Sequence, residues 1–288
     1  MNVIKSWERL SLEYGYAPYF FSQKAMEIEK ECVLRPRLAK SEYLKLVGNH
    51  QAYVTGCIFS AVAFLEAIIN ELFLEADKYV RGEHGNQNDL LRQLLPSDAK
   101  IQDTLTPLTS PVLVSMAQVW NTNRIRFSNY PRLSEVLDYA DHEKDNRPRN
   151  WFVLNKYQLA LYLANKDECS KTFDENDQLQ IEVQLLVRFR NYLMHYNPQW
   201  IAFYSDDESY EAQEARIAQL AKELRAHGFK NPFRPNNINV AGLDVMVSSF
   251  GSFLGANCAE WAALQSKMYV CEFARRMPVE IYEKIYCP

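Results

Sequence analysis

The segment His50–Ala76, HQAYVTGCIFSAVAFLEAIINELFLEA, is apolar on nearly every face of a helix. A helix that is hydrophobic all round belongs in the middle of a fold, so the remaining elements are expected to pack around it. Two polar residues interrupt it, Glu66 and Asn70, four apart and therefore on one face. Burying a carboxylate and an amide is costly unless each is hydrogen-bonded. They are therefore expected to bond each other and a neighbouring helix.

Towards the N-terminus the helical pattern extends back to Ser41, as one long helix to about Tyr79 or as two joined near Gly48-Asn49. Arg35-Pro36-Arg37 separates it from residues 3–31, which read as two amphipathic stretches divided near Gly15–Pro18. Towards the C-terminus, 81–100 is a polar connection with one short helix at Asp89–Leu95, and prolines at 107, 111 and 131 flank an apolar run, Val112–Trp120. Arg124, Arg126 and Arg132 lie close to Phe127 and Tyr130. Such a mix either stacks and holds single-stranded RNA or is an ordinary surface whose basic stems lie along apolar rings.

Asp138–Arg149 reads as a charged loop. Its Asp141-His142-Glu143 does not form a metal site, because adjacent residues do not converge on one ion. Helical periodicity returns over Trp151–Asn165, over Asp177–Pro198, over Asp206–His227 with Gly228 as its cap, and over about Val240–Met277. Gly251, Gly255, Ala259 and Ala263 make a smooth stripe on that last helix, suited to close packing within the chain or across a dimer. No internal repeat, low-complexity stretch or Gly/Ser linker appears, so residues 1–288 are expected to form one all-helical domain.

The composition narrows the function classes. With 48% hydrophobic and 24% charged residues the chain supports a large core, and its net charge of −4 excludes a DNA-coating protein, whose affinity comes from a broad excess of Lys and Arg. Any nucleic-acid contact must be local. Six cysteines without a CxxC pair are expected to be reduced thiols of a cytoplasmic protein. The longest apolar runs, Cys57–Leu65 and Val245–Ala259, read as too short or too interrupted for a membrane span. There is no P-loop, no G-x-G-x-x-G, no HExxH, no zinc-spaced Cys/His cluster and no G-x-S-x-G elbow, so no cofactor or metal is expected.

Titratable groups gather in DQLQIEVQLLVRFRNYLMHYNP, Asp177–Pro198. At about 100° per residue, Ile181, Leu185, Leu186, Phe189, Tyr192 and Leu193 share a core arc, and Arg188, Asn191 and His195 share a narrow stripe at its edge. The helix opens on Asp174, Glu175 and Asp177 and stops at Pro198. His195 thus falls in the last turn, where the negative end of the helix dipole favours imidazolium. A histidinium beside an arginine suits an anionic phosphate. The structural alternative is that the arginines are solvated and His195 binds the last carbonyls of its own helix.

Three segments in order, Leu65-Glu66-Ala67 with Asn70-Glu71-Leu72, Asn155–Leu159, and Arg190-Asn191-Tyr192-Leu193-Met194-His195-Tyr196, resemble the HEPN superfamily. Its hallmark is R-[N/D/H]-x-x-x-H near the end of a helix. The resemblance covers about 50–200, with 1–49 and 201–288 as flanking helices. It implies an all-α, HEPN-like helical bundle and metal-independent endoribonuclease action on single-stranded or looped RNA, in a toxin or antiphage role. It further implies a homodimer whose two sites face each other, and an antitoxin or other regulatory protein as a possible partner. Arg190, Asn191 and His195 match the hallmark, with Glu66, Asn70 and Tyr196 as supporting residues, and Glu66 and Asn70 are expected to face the Arg188–His195 helix. Arg190 lies about 140° from His195 on the wheel, whereas Arg188 lies beside it. Arg190 is favoured by the motif and Arg188 by geometry. The alternative is a non-catalytic HEPN-like scaffold that binds a nucleotide or a protein.

Overall fold

The computed structural model describes residues 10–35, 39–80, 114, 116–117, 153–165, 171–194, 210–233 and 250–277. Six α-helices carry most of them: α1 (Leu10–Leu34), α2 (Lys40–Val80), α3 (Val153–Ala164), α4 (Gln178–Met194), α5 (Tyr210–Ala226) and α6 (Ala256–Arg276). No strand occurs among the described residues, so the chain is all-α there, as the hydrophobic periods predict. They fall into two compact units, one from residues up to Phe64 with Glu182–Ser266, the other from Leu65–Ile181 with the chain from Lys267 onward. The helices α2, α4 and α6 supply residues to both units.

In the first unit the early half of α2 is the centre. Val54, Cys57, Ile58, Ala61 and Val62 are fully buried. The thiol of Cys57 donates to the carbonyl oxygens of Pro18 in α1 and Ala259 in α6, each at 3.1 Å, so one small side chain ties three helices. Burial pushes that thiol up to about 12. The break expected at Gly15–Pro18 does not occur, because α1 runs through the buried Pro18. Proline inside a helix removes one backbone bond and crowds the preceding turn. Packing offsets that loss here: Phe64 closes on Gly15, where an added Cβ would stand 3.1 Å from its ring, and Cys57 takes the Pro18 carbonyl. The join considered at Gly48 is absent as well, since α2 is continuous over 41 residues.

Another charged residue holds two elements at once. Glu29 of α1 accepts from the backbone N–H of Ala256, at the start of α6, at 2.7 Å. The same oxygen lies 2.8 Å from Nε2 of His50, which is 1% exposed and packs against the Phe233 ring. An acid at a helix N-terminus satisfies an orphan amide and complements the dipole.

The C-terminal helix is shorter than its sequence pattern predicts. The chain turns at Ser252–Leu254 and α6 begins only at Ala256. Asn231 explains the interruption: its N–H donates to the Ser252 carbonyl at 2.7 Å and its amide to the Gly251 carbonyl at 2.8 Å. That segment follows Gly228, whose φ of 68 ends α5 as expected of a cap. Gly255 approaches it so closely that a Cβ would stand 1.9 Å from the Lys230 carbonyl oxygen. Gly251, Gly255 and Ala259 are buried within this unit, so the stripe serves intrachain packing at those positions.

The second unit is built on the later half of α2 and on α3. Ten of the twelve residues of α3 are buried, making it a second helix covered on nearly every face. The Tyr157 ring meets Tyr269 and Phe273 edge-on, and its hydroxyl donates to the Leu65 carbonyl at 2.9 Å. Gln158 is satisfied at both ends by the backbone of Phe173, and Tyr269 donates to Gln180. Arg276 donates to Asp177 and to the Thr172 carbonyl and lies over the Phe173 ring.

Two composition-based expectations need correction. Cys32, Cys57 and Cys258 are free, but Cys271 is disulfide-bonded, so the six cysteines are not all reduced thiols. The apolar stretch also extends beyond the run Cys57–Leu65. Within α2, Lys40–Leu74 is long and apolar enough to cross a bilayer by length and composition, and 56% of its most apolar window is buried inside the fold.

Two glycines give an internal control for this architecture. Gly255→Ala is expected to destabilise by about 1–3 kcal/mol, because the obstructing atom is backbone. Gly48→Ala, with nothing within 4 Å of the added methyl, is expected to stabilise by about 0.5–1 kcal/mol. Urea unfolding of both variants measures the difference, and shifts of the same sign would contradict this packing.

Candidate functional site

The helix α4 starts where the acidic turn predicts. Asp177 accepts from the N–H of Leu179 at 3.0 Å, as an N-cap does, and Arg276 holds its other oxygen at 2.8 Å. Asp174 accepts from the backbone and side chain of Asn176. The opening acids thus have structural work of their own.

Burial along α4 is broader than the arc predicted for it. Val183, Leu185, Leu186, Val187 and Phe189 are buried, and so are Gln180 and Glu182. Ile181, assigned to the core arc, is 40% exposed instead. With Gln184 and Arg188 it forms the exposed stripe, at spacings of three and four. Arg188 therefore lies on the outer face, and Asn191 is half-buried at its edge. Arg190 is half-buried, donating to the Met194 sulfur at 3.5 Å. Tyr192 packs on Phe250 at 4.2 Å. His195, Tyr196, Arg124, Arg126 and Arg132 lie outside the described residues.

Arg188 is engaged. Both terminal nitrogens donate to the carboxylate of Glu223 on α5, Nη1 to Oε1 at 3.4 Å and Nη2 to Oε2. Gln219, one turn earlier on α5, donates to the same Oε1 at 2.8 Å. Burial pushes the Glu223 carboxyl up, but these donors and the charges of Arg188 and His227 outweigh it, leaving the group below its ordinary value. A depressed carboxyl stabilises the fold above its unfolded value and loses that contribution as pH falls through the folded one. The Arg188 side chain is 48% exposed and that of Glu223 26%. Screening therefore leaves the pair worth about 0.2–1 kcal/mol at neutral pH.

His227 is a neighbour that no spacing in the sequence revealed. Its Nε2 lies 3.4 Å from Glu182, which also accepts from the Trp261 indole at 2.8 Å, and its ring stacks on Phe229. The two contacts Glu182–His227 and Arg188–Glu223 show that α4 and α5 run antiparallel. His227 is level with residue 182, nine residues and roughly 13 Å along the axis from Asn191. That distance is too great for both to act on one phosphate.

The supporting pair finds a different partner from the one expected. Glu66 and Asn70 belong to the second unit, and Asn70 accepts from Nζ of Lys156 on α3 at 2.8 Å. Asn70 thus bonds a neighbouring helix, as expected, but its partner is α3, where the expectation named α4 or Glu66. An amide facing a half-buried ammonium is satisfied more strongly by that charge than by another neutral group. Burial lowers the Lys156 ammonium below its ordinary value, partly offset by the negative charge of Glu66. Lys156 sits in a segment that carried the resemblance, yet a single lysine among surface lysines gives no sequence signal of burial.

Among the described residues, no three His, Cys, Asp or Glu side chains group to hold a metal. Comparison with family models, with curated proteins and with solved structures finds no match to this chain.

Asn70→Ala is expected to cost about 1–3 kcal/mol, since it strands the Lys156 ammonium, and adding Lys156→Met is expected to recover most of it. Urea midpoints of the two single variants and the double variant close this cycle. Strict additivity would show that the bond contributes nothing.

Proposed function

We propose that this chain is a metal-independent endoribonuclease of the HEPN type, acting on single-stranded or looped RNA in a toxin or antiphage role. The observation that carries the reading is the hexad Arg190–His195, whose Arg190 and Asn191 fall in the closing turns of α4 beside the exposed stripe bearing Arg188. RNA supplies its own nucleophile, so the protein need only move protons and stabilise charge on phosphorus. The 2′-oxygen attacks the adjacent phosphorus and the bond to the 5′-oxygen breaks. A guanidinium, from Arg190 or Arg188, takes the equatorial oxygens. His195 transfers one of the two protons, and the second group comes from the same helix of a partner subunit across a two-fold axis.

Incubation of the purified protein with total RNA in EDTA is expected to yield fragments ending in 2′,3′-cyclic phosphate and 5′-hydroxyl. His195→Ala is expected to abolish cleavage with the helical circular dichroism unchanged. Intact RNA at high protein concentration would favour the non-catalytic scaffold instead. Cleavage at the wild-type rate by the variant would remove His195 from the mechanism.

The composite site has its own measurement. Light scattering at micromolar concentration is expected to give twice the chain mass of 33.6 kDa. A monomer that still cleaves RNA would exclude a second group from a partner.

A further inference from the structure

Glu223 is held as a bound anion would be. Three N–H donors converge on its carboxylate, two from the Arg188 guanidinium and one from Gln219. His227, in the turn just past the end of α5, adds to the attraction, while Glu182 faces His227 from α4. A carboxylate and a phosphodiester present the same feature to a guanidinium, two oxygens at a spacing that matches the planar fork. Burial does not explain the arrangement, since Arg188 is half-exposed on the outer stripe of α4.

The fold could have left this arginine to solvent, as it leaves Gln184 on the same stripe. Instead α5, anchored by the buried Leu220 and Leu224, places a carboxylate on it. An ion pair this exposed is weak enough for a phosphate group to displace.

We propose that Arg188 and Gln219 form a phosphodiester-binding site which Glu223 occupies in the resting fold, so that α5 restrains RNA binding until the carboxylate is displaced. This rests on the ribonuclease reading above and adds its regulation. Removing the Glu223 charge frees the guanidinium fork for RNA. Arg188→Gln removes the fork itself, so in that background the state of residue 223 no longer matters.

The experiment measures binding of a 2′-O-methyl single-stranded RNA, which cannot be cleaved, and cleavage of the same sequence as unmodified RNA. Wild type, Glu223→Gln, Arg188→Gln and the double variant are compared at several salt concentrations. Glu223→Gln is expected to bind about threefold tighter or better and to cleave faster. Its salt dependence is expected to steepen by about one counterion, as one more phosphate is neutralised. The double variant is expected to match Arg188→Gln alone. Wild-type cleavage with Glu223→Gln equal or weaker in binding would overturn the inference and leave the ribonuclease reading standing. Absence of both binding and cleavage in every variant would overturn the two together. Glu223→Asp, which keeps the charge but shortens its reach, provides a second variant if the glutamine form unfolds, and an affinity no higher than wild type in it would count against the proposal.

Discussion

The burial of α2 from Val54 onward constrains how the other described helices pack. From Val54 onward the side chains of Val54, Cys57, Ile58, Ala61, Leu65, Ile69 and Leu72 are withdrawn from water, and one neighbour alone cannot cover so broad an apolar surface. The early half therefore gathers α1 and the start of α6, and the later half gathers α3 and the end of α6. The hydrophobic gain scales with the apolar area removed from water, at about 25 cal/mol per Å². That gain also explains why a proline can sit inside α1: the lost backbone bond is small beside the packing it permits.

Enclosing so apolar a helix forces each polar group near it to find a partner. Tyr157 donates to the Leu65 carbonyl, Cys57 to two carbonyls of other helices, and Lys156 to Asn70. These bonds contribute modestly when made and cost more when broken. They act as register marks, because sliding either helix by one residue would separate donor from acceptor.

The helix α4 is governed by the opposite constraint. Its outer stripe is open, so what Arg188 does is set by electrostatics and by whatever α5 brings near. The Glu223 carboxylate is pulled below its ordinary value by the donors and charges around it. One face of α5 carries Gln219 and Glu223, and His227 follows in the turn just past its end. The electrostatics of the α4 surface are therefore a property of the α4–α5 pair.

Periodicity and composition alone determined the all-α class, the central place of His50–Ala76, the acidic start of α4 around Asp177 and the glycine that ends α5. These features follow from side chains interacting within a few residues, where 3.6-residue geometry tells which positions share a face. The tertiary structure alone decided that α1 runs through Pro18, that α6 begins after a turn held by Asn231, and that Ile181 faces outward. It likewise decided that Asn70 answers to Lys156, that Glu29 caps a helix 227 residues away, and that Glu223 lies on Arg188. The reason is physical. Each of these outcomes is set by a partner distant in sequence, and one residue's propensity carries no record of which donor, carbonyl or charge the folded chain will bring against it.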